Sequence, residues 1–383
     1  MKPKFEHYAL ALITPEFNSS LATLVMTLEH LKKKEWIGTT PRNIFYQVKN
    51  IFHIIESISS ARIEGNHTTI IEYVDSKIDP AYKKTEGIDE IRNMEEALSF
   101  IDDCIEKTKI DKLFLSELHK KVVKGLNKEG SKTPGIYRQG NIKIAHSLHI
   151  PPDYTQVENY MEELLNFINK KDVPQYDLIK TAIAHHRFVW VHPFDNGNGR
   201  TGRLLTYAML AKQGFRIHCG RMINPAAVFC EARVKYNEKL AGCDKGDVKG
   251  ILAWSEYVLK GLKREVEKID RLMDYEYLKD KILLPALKFS LDREHITNRE
   301  YKILNLAIEK VDGFKNRDLR KVFPSKLSSD ISRLIRKLKE RKMIMPLPNK
   351  KEKYMISFDN NFLLRGIINS LGNAGFLPIK EDA

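Results

Sequence analysis

The sequence predicts a mainly α protein, a helical body followed by a small winged helix-turn-helix domain. Three observations predict it. Apolar residues recur at three- and four-residue spacing through most of the 383 residues, with charges between them. The stretch SKTPGIYRQGNIKIAHSLHIPPDY breaks that rhythm with Gly, Pro and isolated isoleucines, which suits a hairpin or flap. From about residue 286 the chain offers three short helical patterns and then two short strand patterns around a basic turn. A chain of this length holds two or three domains, each with a core. The expected division is an N-terminal helical region at 1–104, a central domain at 105–262, a helical connector at 263–285 and the winged-helix domain at 286–383.

Taken in order, segments 20–34 and 43–59 are amphipathic helices. SSARIEGNHTT follows, where a helix carrying Ser60 and Glu64 stops at Gly65 and Asn66. Further helices are expected near 87–103 and 111–126, then, past the flap, at 155–170 and 175–190. TGRLLTYAMLAKQG is built of good helix formers and ends near Gly214. Helices continue through 225–240 and 248–282. In the tail, ITNREYKILNLAIEK, FKNRDLRKVFP and SKLSSDISRLIRKLKERKMI are the three helices, and MPLPNKKEKYMISF is the hairpin.

Composition is that of an ordinary soluble protein, 42% hydrophobic and 30% charged. Glu6, His7 and Pro15 interrupt the apolar run at the amino terminus, so it lacks the core of a secretory signal. No segment reaches the roughly 20 apolar residues of a membrane helix. A cytoplasmic protein with no membrane partner is expected. Cys104, Cys219, Cys230 and Cys243 form no C-x-x-C pair, and His218 beside Cys219 is too close in sequence to share an ion, so free buried thiols are expected. The net charge of +14 is concentrated: residues 311–355 hold 14 Lys or Arg against 5 Asp or Glu. Such a patch points to nucleic acid or to a solvated lysine-rich face.

The chemistry centres on VHPFDNGNGR, residues 191–200. Gly197 and Gly199 let backbone N–H groups approach a ligand, since neither carries a Cβ. The helix that starts directly afterwards adds unpaired N–H groups and a positive dipole end, together an anion site. Arg200 and Arg203 share one face of its first turn and can fork phosphate oxygens. His192, at the rim, has the unperturbed pKa of a general base, or is a core histidine held by a carbonyl. Phe194 is expected to plug into the core and hold the loop.

HPFDNGNGRTGR resembles the active-site motif of Fic-domain proteins, TAIAHHRFVWVHPF the helix leading into it, and PGIYRQGNIKI the flap that clamps a target segment. SSARIEGN resembles the family's inhibitory motif. The resemblance implies an all-helical Fic domain with a β-hairpin flap that transfers AMP from ATP to a Ser, Thr or Tyr hydroxyl of a protein, including itself. It implies His192 as base, Gly197, Asn198 and Gly199 as anion hole, and Arg200 and Arg203 on the β- and γ-phosphates. Mg2+ or Mn2+ would bridge the phosphates. The family's metal-binding acid falls at Asn196, an amide whose oxygen can still ligate a hard cation but supplies no charge, so Asn196 is the metal ligand that the resemblance implies. Tyr236 stands where a family tyrosine meets adenine, or packs as an ordinary helix residue. Glu64, by the same resemblance, pairs with Arg203 where the γ-phosphate belongs, with Ser60 one helical turn before it as an anchor.

In the tail, Leu327, Ile331, Leu334, Ile335 and Leu338 form the predicted apolar stripe. Ser328, Ser329, Ser332, Arg333 and Arg336 lie on other faces, with Lys350, Lys351 and Lys353 in the wing. DNA contacts are assigned to Ser329, Ser332, Arg333, Arg336 and Lys351, with homodimerisation or target docking as the other use of such a domain. The leading function is an auto-inhibited protein adenylyltransferase. The alternative is a DNA-binding regulator whose Fic-like site binds nucleotide with little transfer.

Overall fold

The computed structural model describes residues 5–33, 38–79, 81–144, 147–215, 225–348 and 350–377, apart from the side chains of Lys49, Ile78, Lys351 and Asn361. The chain divides into two compact units, each built from more than one stretch of sequence: 1–36, 52–68 and 84–269 in the first; 37–51, 69–83 and 270–383 in the second.

In chain order, helices α1 (Ser20–Lys33) and α2 (Arg42–Ile63) come first. They are followed by α3 (Ile70–Ile78), α4 (Glu86–Cys104) and α5 (Lys112–Val123). Next come α6 (Val157–Asn169), α7 (Asp177–Val191) and α8 (Asn198–Lys212). In the first unit α8 lies at the centre, with α4, α5, α7 and α9 (Pro225–Cys230) packed around it. Nearly every residue of α7 and α8 is buried, polar and charged ones such as His185, Arg187, Arg200 and Arg203 included, so these need partners inside the unit. The unit closes with α10 (Arg233–Cys243) and α11 (Val248–Arg271).

Three expectations are corrected here. The helical stretch at 248–282 is interrupted after Arg271 and resumes at Tyr275. The single helix at 225–240 is two helices, broken at Ala232 (φ −142°, ψ 68°). Phe229 and Tyr236 would stand about 10.5 Å apart along one continuous helix; the break brings their ring centroids to 4.9 Å. The flap at 131–154 carries no strand among its described residues. Side chains fasten it where a ladder was expected. Arg138 donates to the carbonyls of His192 (2.9 Å), Gly140 (3.0 Å) and Pro152 (2.5 Å). Asn141 clasps Asp153 and the Tyr154 N–H at 2.8 and 2.9 Å.

The second unit contains α3, α12 (Tyr275–Leu278), a π-turn at Lys279–Leu283 and α13 (Leu284–Asp292). After these come α14 (Asn298–Glu309), α15 (Leu319–Val322) and α16 (Ser328–Glu340). Strands β1 (Ile344–Leu347) and β2 (Lys350–Ile356) pair antiparallel, Ile344 opposite Ile356. Phe314 adds one bridge to Tyr354, and α17 (Asn361–Asn373) packs on α13 and α3. Helix, helix, helix and hairpin follow in the predicted order, although α15 is a single turn. Capping boxes set two of the starts, Thr69 with Glu72 and Thr297 with Glu300. The stripe of α16 buries Ile331, Ile335 and Leu338, but Leu327 is 72% exposed. It sits at the N-cap in extended backbone, outside the helical periodicity.

Among the described residues no helix is long and apolar enough to cross a membrane. Cys243 is buried, while Cys104 and Cys230 are only half-buried; all three are free. His218 and Cys219 lie outside the described residues.

Candidate active site

Helix α7 ends by turning left-handed at His192 (φ 51°, ψ 61°), a strained conformation for a residue with a Cβ. The strain is held from several directions. Arg138 grips the His192 carbonyl with its side chain and the Pro193 carbonyl with its backbone N–H (2.8 Å). Phe194 is fully buried, its ring stacked on His119 at 3.7 Å and 3°. Asn198 closes the loop by accepting from the Phe194 N–H and donating to the Phe194 carbonyl, both at 2.9 Å. Its side chain is therefore a brace.

The same geometry fixes the proton on His192. Nδ1 lies 3.0 Å from the Val189 carbonyl, which can only accept, so Nδ1 carries the hydrogen and Nε2 presents a lone pair. Burial pushes the imidazole down to about 4, so it is neutral at neutral pH and able to take a proton. His119 is fixed likewise: the Gly135 N–H donates to Nδ1 (2.8 Å), and Nε2 donates to the Asn196 carbonyl (3.0 Å). Burial holds it near 4 as well.

Asn196 uses its amide on the protein. Oδ1 accepts from the Gly197 N–H at 2.7 Å and Nδ2 donates to the Lys128 carbonyl at 3.3 Å. Asp195 is spent too. Its carboxylate accepts from Ser131 Oγ (2.5 Å) and the N–H groups of Lys132 (2.9 Å) and Asn196 (3.0 Å). Burial alone would raise its pKa, but these bonds bring it below the usual range. Among the described residues no three His, Cys, Asp or Glu side chains converge as metal ligands. The donor set at position 196 fits a protein-held divalent cation poorly: its oxygen is uncharged, and one of its two lone pairs already accepts from the Gly197 N–H.

Helix α8 opens at Gly197 (φ 73°), and the N–H groups of Asn198, Gly199 and Arg200 have no intrahelical partner. The two arginines of its first two turns meet different fates. Arg203, buried, donates from Nε to Ser60 Oγ (2.8 Å) and from Nη2 to the Ser60 carbonyl (3.0 Å) and Glu64 Oε1 (2.7 Å). Glu64 stands just past the end of α2, where Gly65 (φ 98°) turns the chain away. Its carboxylate lies against Gly199 so closely that a Cβ there would overlap Oε1. Burial would raise the Glu64 pKa; Arg203 and then Arg200 outweigh it and hold the group ionised.

Arg200, 1% exposed, faces Glu90 across 2.9 Å and donates to the Glu129 carbonyl (2.9 Å) and carboxylate (3.3 Å). The guanidinium assigned to a phosphate thus already has two acidic partners inside the protein. Asn66 joins this arrangement, donating to Glu90 Oε2 at 2.7 Å. Residues 64–66 consequently hold Arg203 directly and Arg200 through Glu90. Tyr236 is buried among Phe229, His185 and Trp254, its hydroxyl 3.1 Å from His185 Nε2, which is the packing role.

Ser60, Glu64, His192, Gly197, Gly199 and Arg203 therefore form one site. Glu90, Glu129 and His119 were not foreseen. For two of them a signal existed: Glu90 and His119 interrupt buried apolar faces of α4 and α5, where an unpaired polar group would be costly. Glu129 left none. Of the residues assigned to DNA, Ser329, Ser332, Arg333 and Arg336 are exposed on α16 of the second unit, and the Lys351 side chain lies outside the described residues.

Comparison with known proteins places the part of the chain that carries this loop in a family match. Residues 109–210 match the Fic/DOC family. The chain is 28% identical over 198 residues to the protein adenylyltransferase Fic of Nematostella vectensis, covering 50% of this chain and 43% of the relative. It is 27% identical over 203 residues to that of Drosophila erecta, covering 51% and 38%. It thus spans about two-fifths of the length of these relatives. A crystal structure of a Fic family protein from Desulfovibrio desulfuricans G20 superimposes with a TM-score of 0.57 at 19% identity, covering 92% of this chain and 98% of that one. Fic-1 from C. elegans (residues 134–508) gives 0.51 at 20% identity, covering 66% and 72%.

Proposed function

We propose that this chain, a Fic-domain protein through residues 109–210, transfers AMP from ATP to a Ser, Thr or Tyr hydroxyl of a protein and is held off by its own Glu64. The hydroxyl oxygen attacks the α-phosphorus while its proton passes to Nε2 of His192. The bond from the α-phosphorus to its bridging oxygen breaks, and pyrophosphate leaves. The N–H groups at the start of α8 receive the phosphate charge, preorganised donors aimed where negative charge builds up. Arg203 is the arginine available for the terminal phosphate once Glu64 leaves it; no step is routed through a protein-bound metal.

The observation that carries the reading is the Glu64–Arg203 pair beside a neutral His192. A carboxylate on that guanidinium competes with a phosphate for the same fork. A charge-assisted hydrogen bond of about 1.5–3 kcal/mol corresponds to roughly 10- to 150-fold in ATP engagement. Glu64→Gly therefore raises self-modification by labelled ATP by at least about tenfold, and Glu64→Gly with His192→Ala abolishes it. Equal labelling of the wild type and Glu64→Gly removes the switch. No labelling by Glu64→Gly at saturating ATP and magnesium removes the transferase, and nucleotide binding by that variant would then favour the alternative, a DNA-binding regulator whose site binds nucleotide with little transfer.

A further inference from the structure

We propose that α16 is a DNA-reading helix that enters the major groove of a B-form duplex. The inference rests on the second unit alone. Ile331, Ile335 and Leu338 turn one side of α16 into that unit's core. Ser329, Ser332, Arg333 and Arg336 recur at the i, i+3, i+4, i+7 spacing of a single face, and all four are exposed.

Local partners leave this face open. Among the described residues neither Arg333 nor Arg336 has an acidic partner. Glu300 and Glu352, by contrast, are taken by Arg341 (2.5 Å) and Lys315 (3.1 Å). Arg320 donates to Ser328 at 2.7 Å and Asn316 touches Ser332 at 3.5 Å, so the turn ahead of α16 lies along the start of the same face. Exposed Arg317, Lys321 and Lys350 extend the positive charge to the helix flanks and the β1–β2 turn.

An exposed stripe of two serines and two unpaired arginines fits phosphates and base edges better than a protein partner. Protein interfaces enrich arginine together with aromatic and Met anchors and are depleted of Ser, whereas this face sets its arginines among serines and holds no apolar anchor between residues 328 and 337 that is not already buried or half-buried. The major groove, about 12 Å wide, admits one helix; the deep, narrow groove of duplex RNA does not. That choice separates DNA from RNA as the ligand.

The test is binding of the full-length chain to a labelled 30-base-pair DNA duplex of mixed sequence, followed by fluorescence anisotropy from 50 to 300 mM salt. The wild type is expected to bind with Kd on the order of 1–100 μM near physiological salt, weakening steeply as salt rises. Arg333→Glu with Arg336→Glu should weaken binding at least tenfold. The milder Arg333→Gln with Arg336→Gln should lower the salt slope by about 2, one contact per arginine. Lys235→Glu with Lys260→Glu makes the same charge change on exposed residues of the first unit and should leave binding within twofold. Circular dichroism confirms that each variant is folded. The proposal is overturned if the wild type does not bind at 50 mM salt, or if the lysine pair weakens binding as much as the arginine pair. An RNA duplex bound equally well would also overturn it, as would a wild-type dimer that the arginine variant splits.

Discussion

Arg200 and Arg203 open α8; Arg333 and Arg336 lie along α16. Both pairs are three residues apart on one helix face, yet the first is about 1% exposed and the second is open to solvent. In α8 every guanidinium has carboxylate partners: Glu64 on Arg203, Glu90 and Glu129 on Arg200. In α16 the described residues supply neither arginine with one. A buried cation must be neutralised where it stands, since desolvation costs more than an isolated charge can recover. An exposed cation is already solvated and remains available to a ligand. The contrast identifies Arg200 as a structural ion, Arg203 as a contested one and the α16 pair as free ones.

The largest expected effect tests the structural ion. Arg200→Met leaves Glu90 buried without its cation and should destabilise the first unit by about 3–5 kcal/mol. The unfolding midpoint followed through Trp190 and Trp254, both buried there, measures it. Adding Glu90→Gln should restore part of the loss, whereas an unchanged midpoint for Arg200→Met would place the guanidinium back among the ligands of phosphate.

A pH profile tests the contested ion. Because the folded pKa of Glu64 lies below its ordinary value, the pair with Arg203 is present above the usual carboxylate pKa and is lost only as pH falls through the lower, folded one. Acidification from pH 8 to 5.5 should therefore leave the wild type inhibited. Over the same range Glu64→Gly should stay active, because His192 gains its proton only near pH 4. Activity of Glu64→Gly that halves near pH 6.5 would mean that the imidazole is solvated during transfer. The smallest effect tests the free ions: Arg333→Ala with Arg336→Ala should change stability by less than about 0.5 kcal/mol, as surface substitutions do. Thermal melting of the second unit by circular dichroism is the check. A larger loss would show partners that make these arginines structural as well.

How much of this was legible follows from the range of each interaction. The turn from α7 through His192 and Gly197 into α8 is written in ten consecutive residues. The buried stripe of α16 is equally local, except that Leu327, counted in it from spacing, falls at the N-cap ahead of the helix. The flap is the local reading that failed. Gly and Pro mark it correctly as irregular, but Arg138 and Asn141 satisfy its carbonyls and turns, so no ladder is needed.

By itself the sequence determined most of the helices, though not the breaks at Ala232 and after Arg271, and with them the loop between α7 and α8, the histidine at its rim and the glycines that let a carboxylate or a phosphate lie against α8. Each depends on residues within a few turns of one another, where spacing dictates geometry. Only the tertiary structure decided that Asn196 and Asp195 reach the loop at 128–132, that Tyr236 is buried, and that Glu90 and Glu129 stand beside Arg200. A buried charge takes its partner from whichever helices pack beside it, and no spacing rule along the chain encodes that choice.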